Sequence, residues 1–141
     1  MQSTVYEEKA HDWAEKKYNC KLRKKTWQII SKNNSDRRKI IPDFSSTDNS
    51  ECVLGDAKAG KASDDATLHQ AGYTILKMLV IEKEMRQQYR KFLVFENKEK
   101  AKKFIESMEG ALVLLHLCKD SLEVWYYNGN DGEERLFPPS S

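Results

Sequence analysis

The chain has 141 residues, 24 Lys and Arg against 22 Asp and Glu, and 39% hydrophobic residues. That balance fits one domain with an apolar core and excludes a disordered or fibrous chain. No apolar run reaches the roughly 18 residues of a membrane span. The first eight residues lack the basic-then-apolar order of a secretory signal, which sets the expected place of action in the cytoplasm. Cys20, Cys52 and Cys118 are widely spaced without a CxxC pair, the pattern of free thiols in a reducing compartment rather than a structural zinc site.

Thr4 to Glu7 has the form of a capping box. Behind it Tyr6, Ala10, Trp13, Ala14 and Tyr18 recur at helical spacing, so the first helix is expected to end near Tyr18 to Cys20. Lys25 to Ser31, Arg38 to Phe44 and Glu51 to Ala59 read as three strands of an antiparallel meander, separated by the turn clusters 31–36 and 47–50. Asp64 or Asp65 is expected to cap a second helix with Leu68, Ala71, Ile75, Met78 and Leu79 inward, running to about Glu84. Lys91 to Phe95 is a continuous apolar strand. Asn97 caps a third helix with Ala101, Phe104, Ile105 and Met108 inward, closed by Gly110 at its C′ position. Ala111 to Leu117 and Leu122 to Tyr127 read as two further strands, and 128–141 as a loose tail. The expectation is a single α/β domain with a core over about 4–127, one mixed sheet flanked by helices, and a parallel crossover through the second helix.

Charge is unevenly placed. From Lys9 to Lys39 there are eleven Lys and Arg against three acids. Lys21, Arg23, Lys24 and Lys25, together with Arg37 and Arg38, form the densest clusters. They flank expected strands, which marks a phosphate-facing surface beside the alternative of a solvated face. Lys61 adds a basic residue after the third strand.

Ile41-Pro42-Asp43 and Gly55-Asp56-Ala57-Lys58 hold the most informative residues. Side chains alternate along a strand, so Asp56 and Lys58 share a face while Ala57 points away. Antiparallel pairing is expected to bring Asp43 beside Asp56. Two close carboxylates repel unless a cation lies between them, and oxygen ligands of this kind suit Mg²⁺ or Mn²⁺, with the Ala57 carbonyl as a further donor. Lys58 alone can also supply the positive charge. The chemistry expected of this group is metal-assisted phosphodiester hydrolysis.

Pro42-Asp43, twelve residues and Asp56-x-Lys58 resemble the signature of the PD-(D/E)XK nuclease superfamily. The element order resembles that family's restriction endonuclease-like α-β-β-β-α-β core over roughly Thr4 to Phe95. The resemblance implies that Asp43 and Asp56 bind the metal and that Lys58 positions or activates the attacking water. It also implies an acid from the first helix, here Glu7 with Glu8 as the substitute, although Glu7 also completes the capping box. A glutamine and tyrosine on the second helix are represented by Gln70 and Tyr73, one residue closer together than the family pattern; Tyr73 is expected to pack. Minimal members of this kind imply a DNA endonuclease, a homodimeric resolvase, or a toxin domain that cuts DNA or transfer RNA and is held by an immunity protein. A toxin domain would be delivered to the cytoplasm where it acts.

Two other classes stay open. Gly55 to Lys61 matches seven positions of a Walker A loop, with Ala62 where Ser or Thr belongs, which leaves a P-loop NTPase as an alternative. The basic N-terminal third, with Tyr18 and Trp27, allows a non-catalytic nucleic-acid binder, Trp27 being otherwise a core residue. His116 is expected to alternate into the core, and His69 beside Gln70 is a phosphate-contact candidate.

Overall fold

The computed structural model describes residues 3–23, 27–30, 37–40, 44–46 and 53–139, with 27–30 and 37–40 described as backbone. Helix α1 (Ser3–Tyr18) is followed by the short strands β1 (Leu22–Arg23), β2 (Trp27–Ile30), β3 (Arg37–Ile40) and β4 (Phe44–Ser46). Then come β5 (Val53–Lys58), α2 (Asp64–Met85), β6 (Arg90–Phe95), α3 (Lys98–Ser107), α4 (Glu109–Leu117), β7 (Leu122–Tyr127) and β8 (Glu133–Phe137). Six strands make one mixed sheet in the order β1-β4-β5-β6-β7-β8, parallel from β5 through β7 and antiparallel toward both edges.

The parallel β5-α2-β6 crossover matches the expectation from sequence, and the meander needs correction. β2 and β3 pair in a separate two-stranded sheet, and the antiparallel neighbour of β5 is β4, which pairs in turn with β1.

Alternation along the central strands sorts the core into two layers. Leu54, Leu93, Phe95 and Val124 face α2, α3 and α4, with Ala71, Ile75, Met78 and Phe104 against them. Val53, Ala57, Phe92 and Val94 face α1, whose Tyr6, Ala10, Trp13, Ala14 and Tyr18 are all buried. The apolar stripe read from sequence is therefore the docking face of α1. Thr4 lies inside the helix, because its first turn already begins at Ser3.

α2 is capped by Ser63, whose hydroxyl accepts from Ala66 N at 3.1 Å, and the expected caps Asp64 and Asp65 occupy its first turn. There they face the helix dipole favourably. Asn97 caps α3 as expected, accepting from Lys100 N at 3.0 Å. Ala111 to Leu117 forms the helix α4 instead of a strand, and Gly110 lies within it rather than ending α3. His116 is consequently exposed on a helix and not a core residue. Residues 133–137, placed in the loose tail, form the edge strand β8 against β7. No helix among the described residues is long and apolar enough to cross a membrane.

Gly55 controls how α1 meets the sheet. The Phe92 ring lies across it: a Cβ at position 55 would sit 2.0 Å from Phe92 Cζ. That ring stacks on Tyr18 at 4.7 Å and on Phe44 at 6.2 Å, and meets Trp13 edge-on at 6.2 Å. Phe92 is fully buried, a burial that contributes about 1.5–3 kcal/mol, and its neighbours leave it nowhere to turn. On the opposite face of β6, one residue before Phe92, the Lys91 ammonium is buried and held by Glu82 at 2.6 Å and the Tyr89 carbonyl at 3.1 Å.

Two stability outcomes follow. Gly55→Ala is expected to destabilise the fold by at least about 1–3 kcal/mol through overpacking. Adding Phe92→Leu should recover part of that loss, read as non-additivity in denaturant midpoints. Lys91→Ala strands the Glu82 carboxylate and should cost about 3–5 kcal/mol in urea unfolding; a loss below about 1 kcal/mol would show that Glu82 is already solvated.

Candidate active site at the end of β5

Asp56 and Lys58 project from the same face of β5, toward α2, as period-two alternation requires. Asp56 is 5% exposed. Its Oδ2 receives the Lys58 ammonium at 2.6 Å and faces the Thr74 hydroxyl of α2 at 3.2 Å. The same hydroxyl lies 2.8 Å from the Gln70 carbonyl and accepts from Lys58 Nζ at 3.4 Å. A hydroxyl has one proton to give, so Thr74 divides it between the Gln70 carbonyl and the Asp56 carboxylate. Lys58 supplies positive charge to the Asp56 carboxylate and donates to the Thr74 hydroxyl.

Beyond Lys58 the chain leaves the strand and turns into α2. Gly60 N donates to Glu96 Oε1 at 2.8 Å, which ties this turn to the end of β6. Between the turn, α2 and α1 lies a cleft of about 280 Å³. Glu7, Ala57, Lys58, Lys61, Thr67 and Gln70 line it, with Ala59 and Ala62. Three elements distant in sequence thus bring together Glu7, Ala57, Lys58, Gln70 and Lys61. Asp56 lies beneath, covered by its contact with Lys58.

Glu7 also borders a second cleft of about 570 Å³, with Glu8, His11, Asp12, Arg23 and Phe44. The two hollows adjoin across the Glu7 side chain. Arg23 is exposed on this second rim, and Lys21 is exposed beyond it. Asp43, Lys24 and Lys25 lie outside the described residues, and of Arg37 and Arg38 the backbone alone is described, within β3. β4 starts at the residue after Asp43, and that first residue, Phe44, pairs with Gly55, the neighbour of Asp56. Tyr73, expected to pack, is exposed and lies under the Lys77 ammonium at 4.6 Å. His69 is exposed on α2 outside the cleft lining.

Two residues absent from the sequence-based candidates belong to the site. Thr74 links Asp56, Lys58 and Gln70, and Thr67 lines the cleft. Both interrupt the buried stripe of α2 that includes Ala71 and Met78. Buried hydroxyls in an apolar stripe were the available signal for them.

Gly55 to Lys58 lie within β5. A Walker A loop requires its first glycine to open the turn, with the intervening backbone wrapped around phosphate. Here that backbone is committed to strand pairing with β6, so the P-loop spacing does not describe this turn.

His11, Asp12 and Glu15 of α1 form the one His/acid group among the described residues close enough for a metal ion. Their hydrogen bonds suit a protonated imidazole. His11 Nε2 lies 2.7 Å from the Leu22 carbonyl, which can only accept, and Nδ1 lies 3.2 Å from Asp12 Oδ1. Partial burial pulls the imidazole pKa down. The bond to the Leu22 carbonyl, the bond to Asp12 and the charge of Glu15 outweigh it, leaving the pKa raised above 6.5. In the protonated form both nitrogens donate and neither offers a lone pair to a metal.

Tyr6 and Tyr18, which hold α1 down, have hydroxyl pKa values pushed up by burial first, and then by Glu96 for Tyr6 and by Glu123 for Tyr18. Both remain neutral donors, to the Tyr127 carbonyl and Glu123 Oε1 respectively, each at 2.8 Å.

The chain matches no protein-family model, no curated protein and no solved structure.

The His11 contacts set a pH dependence. A raised folded-state pKa gives stability that is fully present below about pH 6.5 and is lost as pH rises through the folded value. His11→Gln should flatten that decline in urea midpoints measured across the interval. An unchanged slope would show that the imidazole carries no proton in its contacts with Leu22 and Asp12.

Proposed function

We propose that this chain is a metal-dependent endonuclease of the restriction endonuclease-like kind, a phosphodiester hydrolase with DNA as its first substrate and RNA as its second. One observation carries the reading: the buried Asp56 is paired at 2.6 Å, on one face of β5, with Lys58, which lines a cleft together with Glu7, Lys61 and Gln70. A strand-interior aspartate is disfavoured, and burying its charge costs several kcal/mol before pairing. A buried, paired carboxylate beside a cleft supports the reading of a functional group there.

Each residue has a definite task in this reading. Asp56 presents the carboxylate, and Asp43 joins it from the segment just before β4. Lys58 moves its ammonium between Asp56 and the attacking water, which it orients and whose developing hydroxide charge it stabilises, while the proton passes to solvent or to a non-bridging oxygen of the phosphate. Gln70 contacts the water or the phosphate, and Glu7 adds a carboxylate from α1. Lys61 and Arg23, with Lys21, Lys24, Lys25, Arg37 and Arg38, contact phosphates along the strand.

The oxygen donors described at this end of β5, Asp56 and the Ala57 carbonyl, with Glu7 on the same cleft, fit a hard divalent cation, Mg²⁺ with Mn²⁺ as a substitute, and in this reading Asp43, outside the described residues, completes the set. Bound there, the ion would supply charge stabilisation on the phosphoryl oxygens and a more acidic water. The contact between Lys58 and Asp56 neutralises the carboxylate otherwise, so ion and ammonium compete for Oδ2.

The test is incubation with plasmid DNA, branched DNA and total transfer RNA, each with Mg²⁺, Mn²⁺ or EDTA. Cleavage is expected with either ion and not with EDTA. Asp56→Asn and Lys58→Met should each lower it about 10²–10³-fold while circular dichroism stays native. Cleavage confined to transfer RNA would identify a toxin domain and call for an immunity partner. Salt-sensitive binding without cleavage would replace the enzyme by a binding module.

A further inference from the structure

We propose that Thr67, Lys61 and Gln70 form a second oxyanion subsite in the cleft, beside Lys58, which takes a phosphate of the substrate strand next to the one being hydrolysed. The subsite rests on the nuclease reading for the identity of its ligand, while its affinity for an oxyanion stands on local chemistry.

Thr67 carries the argument. It lines the cleft, it is 3% exposed, and its Oγ1 has no hydrogen-bond partner among the described residues. A buried unsatisfied hydroxyl is destabilising, and the remedy is local. Threonine in a helix commonly bonds the carbonyl three or four residues earlier. Thr74, two turns along the same helix, does so with the Gln70 carbonyl at 2.8 Å. Thr67 leaves this bond unmade, although the Ser63 carbonyl accepts only the Thr67 backbone N–H at 2.9 Å among the contacts on the described residues.

The neighbours define the ligand. Lys61 offers an ammonium and Gln70 an amide, both exposed on the same cleft. A hydroxyl, an ammonium and an amide together donate hydrogen bonds to oxygen and add one positive charge, the chemistry of a phosphate diester. Glu7 is the one carboxylate of that lining, and Lys58 is already engaged by Asp56. Affinity for a lone phosphate is therefore weak, and the subsite works by positioning a strand held elsewhere. Oγ1 is covered in the conformation described, and rotation about χ1 exchanges it with the methyl group without moving the helix.

Thermal unfolding in EDTA, with inorganic phosphate against sodium chloride at equal ionic strength, reads the subsite without cleavage. Phosphate is expected to raise the wild-type Tm. Thr67→Val keeps the shape and removes the unsatisfied hydroxyl. It should raise Tm by about 2–4 °C without phosphate and weaken phosphate binding about tenfold. Thr67→Ser should keep the phosphate response, and Lys61→Gln should lose it. No phosphate effect on the wild type, a lower Tm for Thr67→Val without phosphate, or an undiminished response in that variant would overturn the proposal. A chain that binds phosphate in this way yet cuts no nucleic acid would keep the subsite and lose the nuclease.

Discussion

The carboxylate of Asp56 has to be neutralised where it lies. It sits in the interior of a strand, beneath a helix, in surroundings that would not tolerate a lone charge. The protein answers with Lys58 two residues on, and with the Thr74 hydroxyl reaching down from α2. Strand alternation puts acid and base on one face, and the crossover helix makes a lid over them. The end of β5 is therefore charged yet largely closed to water. There each electrostatic interaction is stronger than on an open surface. The cleft opens beside this pair, where Lys58 emerges from under α2.

The opposite face of the sheet solves a different problem. α1 must hold Glu7 at the cleft although its own polar face is exposed. It does so through aromatic packing on Phe92, Trp125 and Tyr127, with Trp13 stacked on Tyr127 at 5.4 Å. Directed bonds then fix its rotation: Tyr6 to the Tyr127 carbonyl, Trp13 Nε1 to Glu133 at 3.0 Å, and Lys17 to Glu133 at 2.7 Å. The Lys17 ammonium holds the Glu133 carboxyl below its usual range, although burial works against it. A helix pinned at both ends and along its buried stripe carries Glu7 as a rigid arm.

Much of this was readable from residue patterns, for identifiable reasons. The stripe of α1, the buried run of β6 and the β5-α2-β6 crossover are long and strongly patterned, so period and length agree. The pairing of Asp56 with Lys58 follows from alternation alone. α4 was misread because Ala111 to Leu117 is a short apolar run, for which period cannot separate helix from strand. Its leucines are largely on the surface, with Leu112 buried and Leu114 and Leu117 exposed. β8 was missed because an edge strand needs few apolar residues: Phe137 alone is buried in Glu133–Phe137. The threonines of α2 were invisible as site residues because their role depends on which neighbours the tertiary fold brings to them.

The bond between Tyr6 and Tyr127 joins residues 121 positions apart, and Glu133 is a partner of Trp13 and Lys17. During synthesis α1 is made well before β7 and β8, the strands that orient it. Contacts of such separation form late because a long loop must close before they reward it. A growing polypeptide can assemble β5, α2 and β6 while Glu7 is still unanchored. An activity that needs the acid on α1 would thus stay silent until β7 and β8 have left the ribosome.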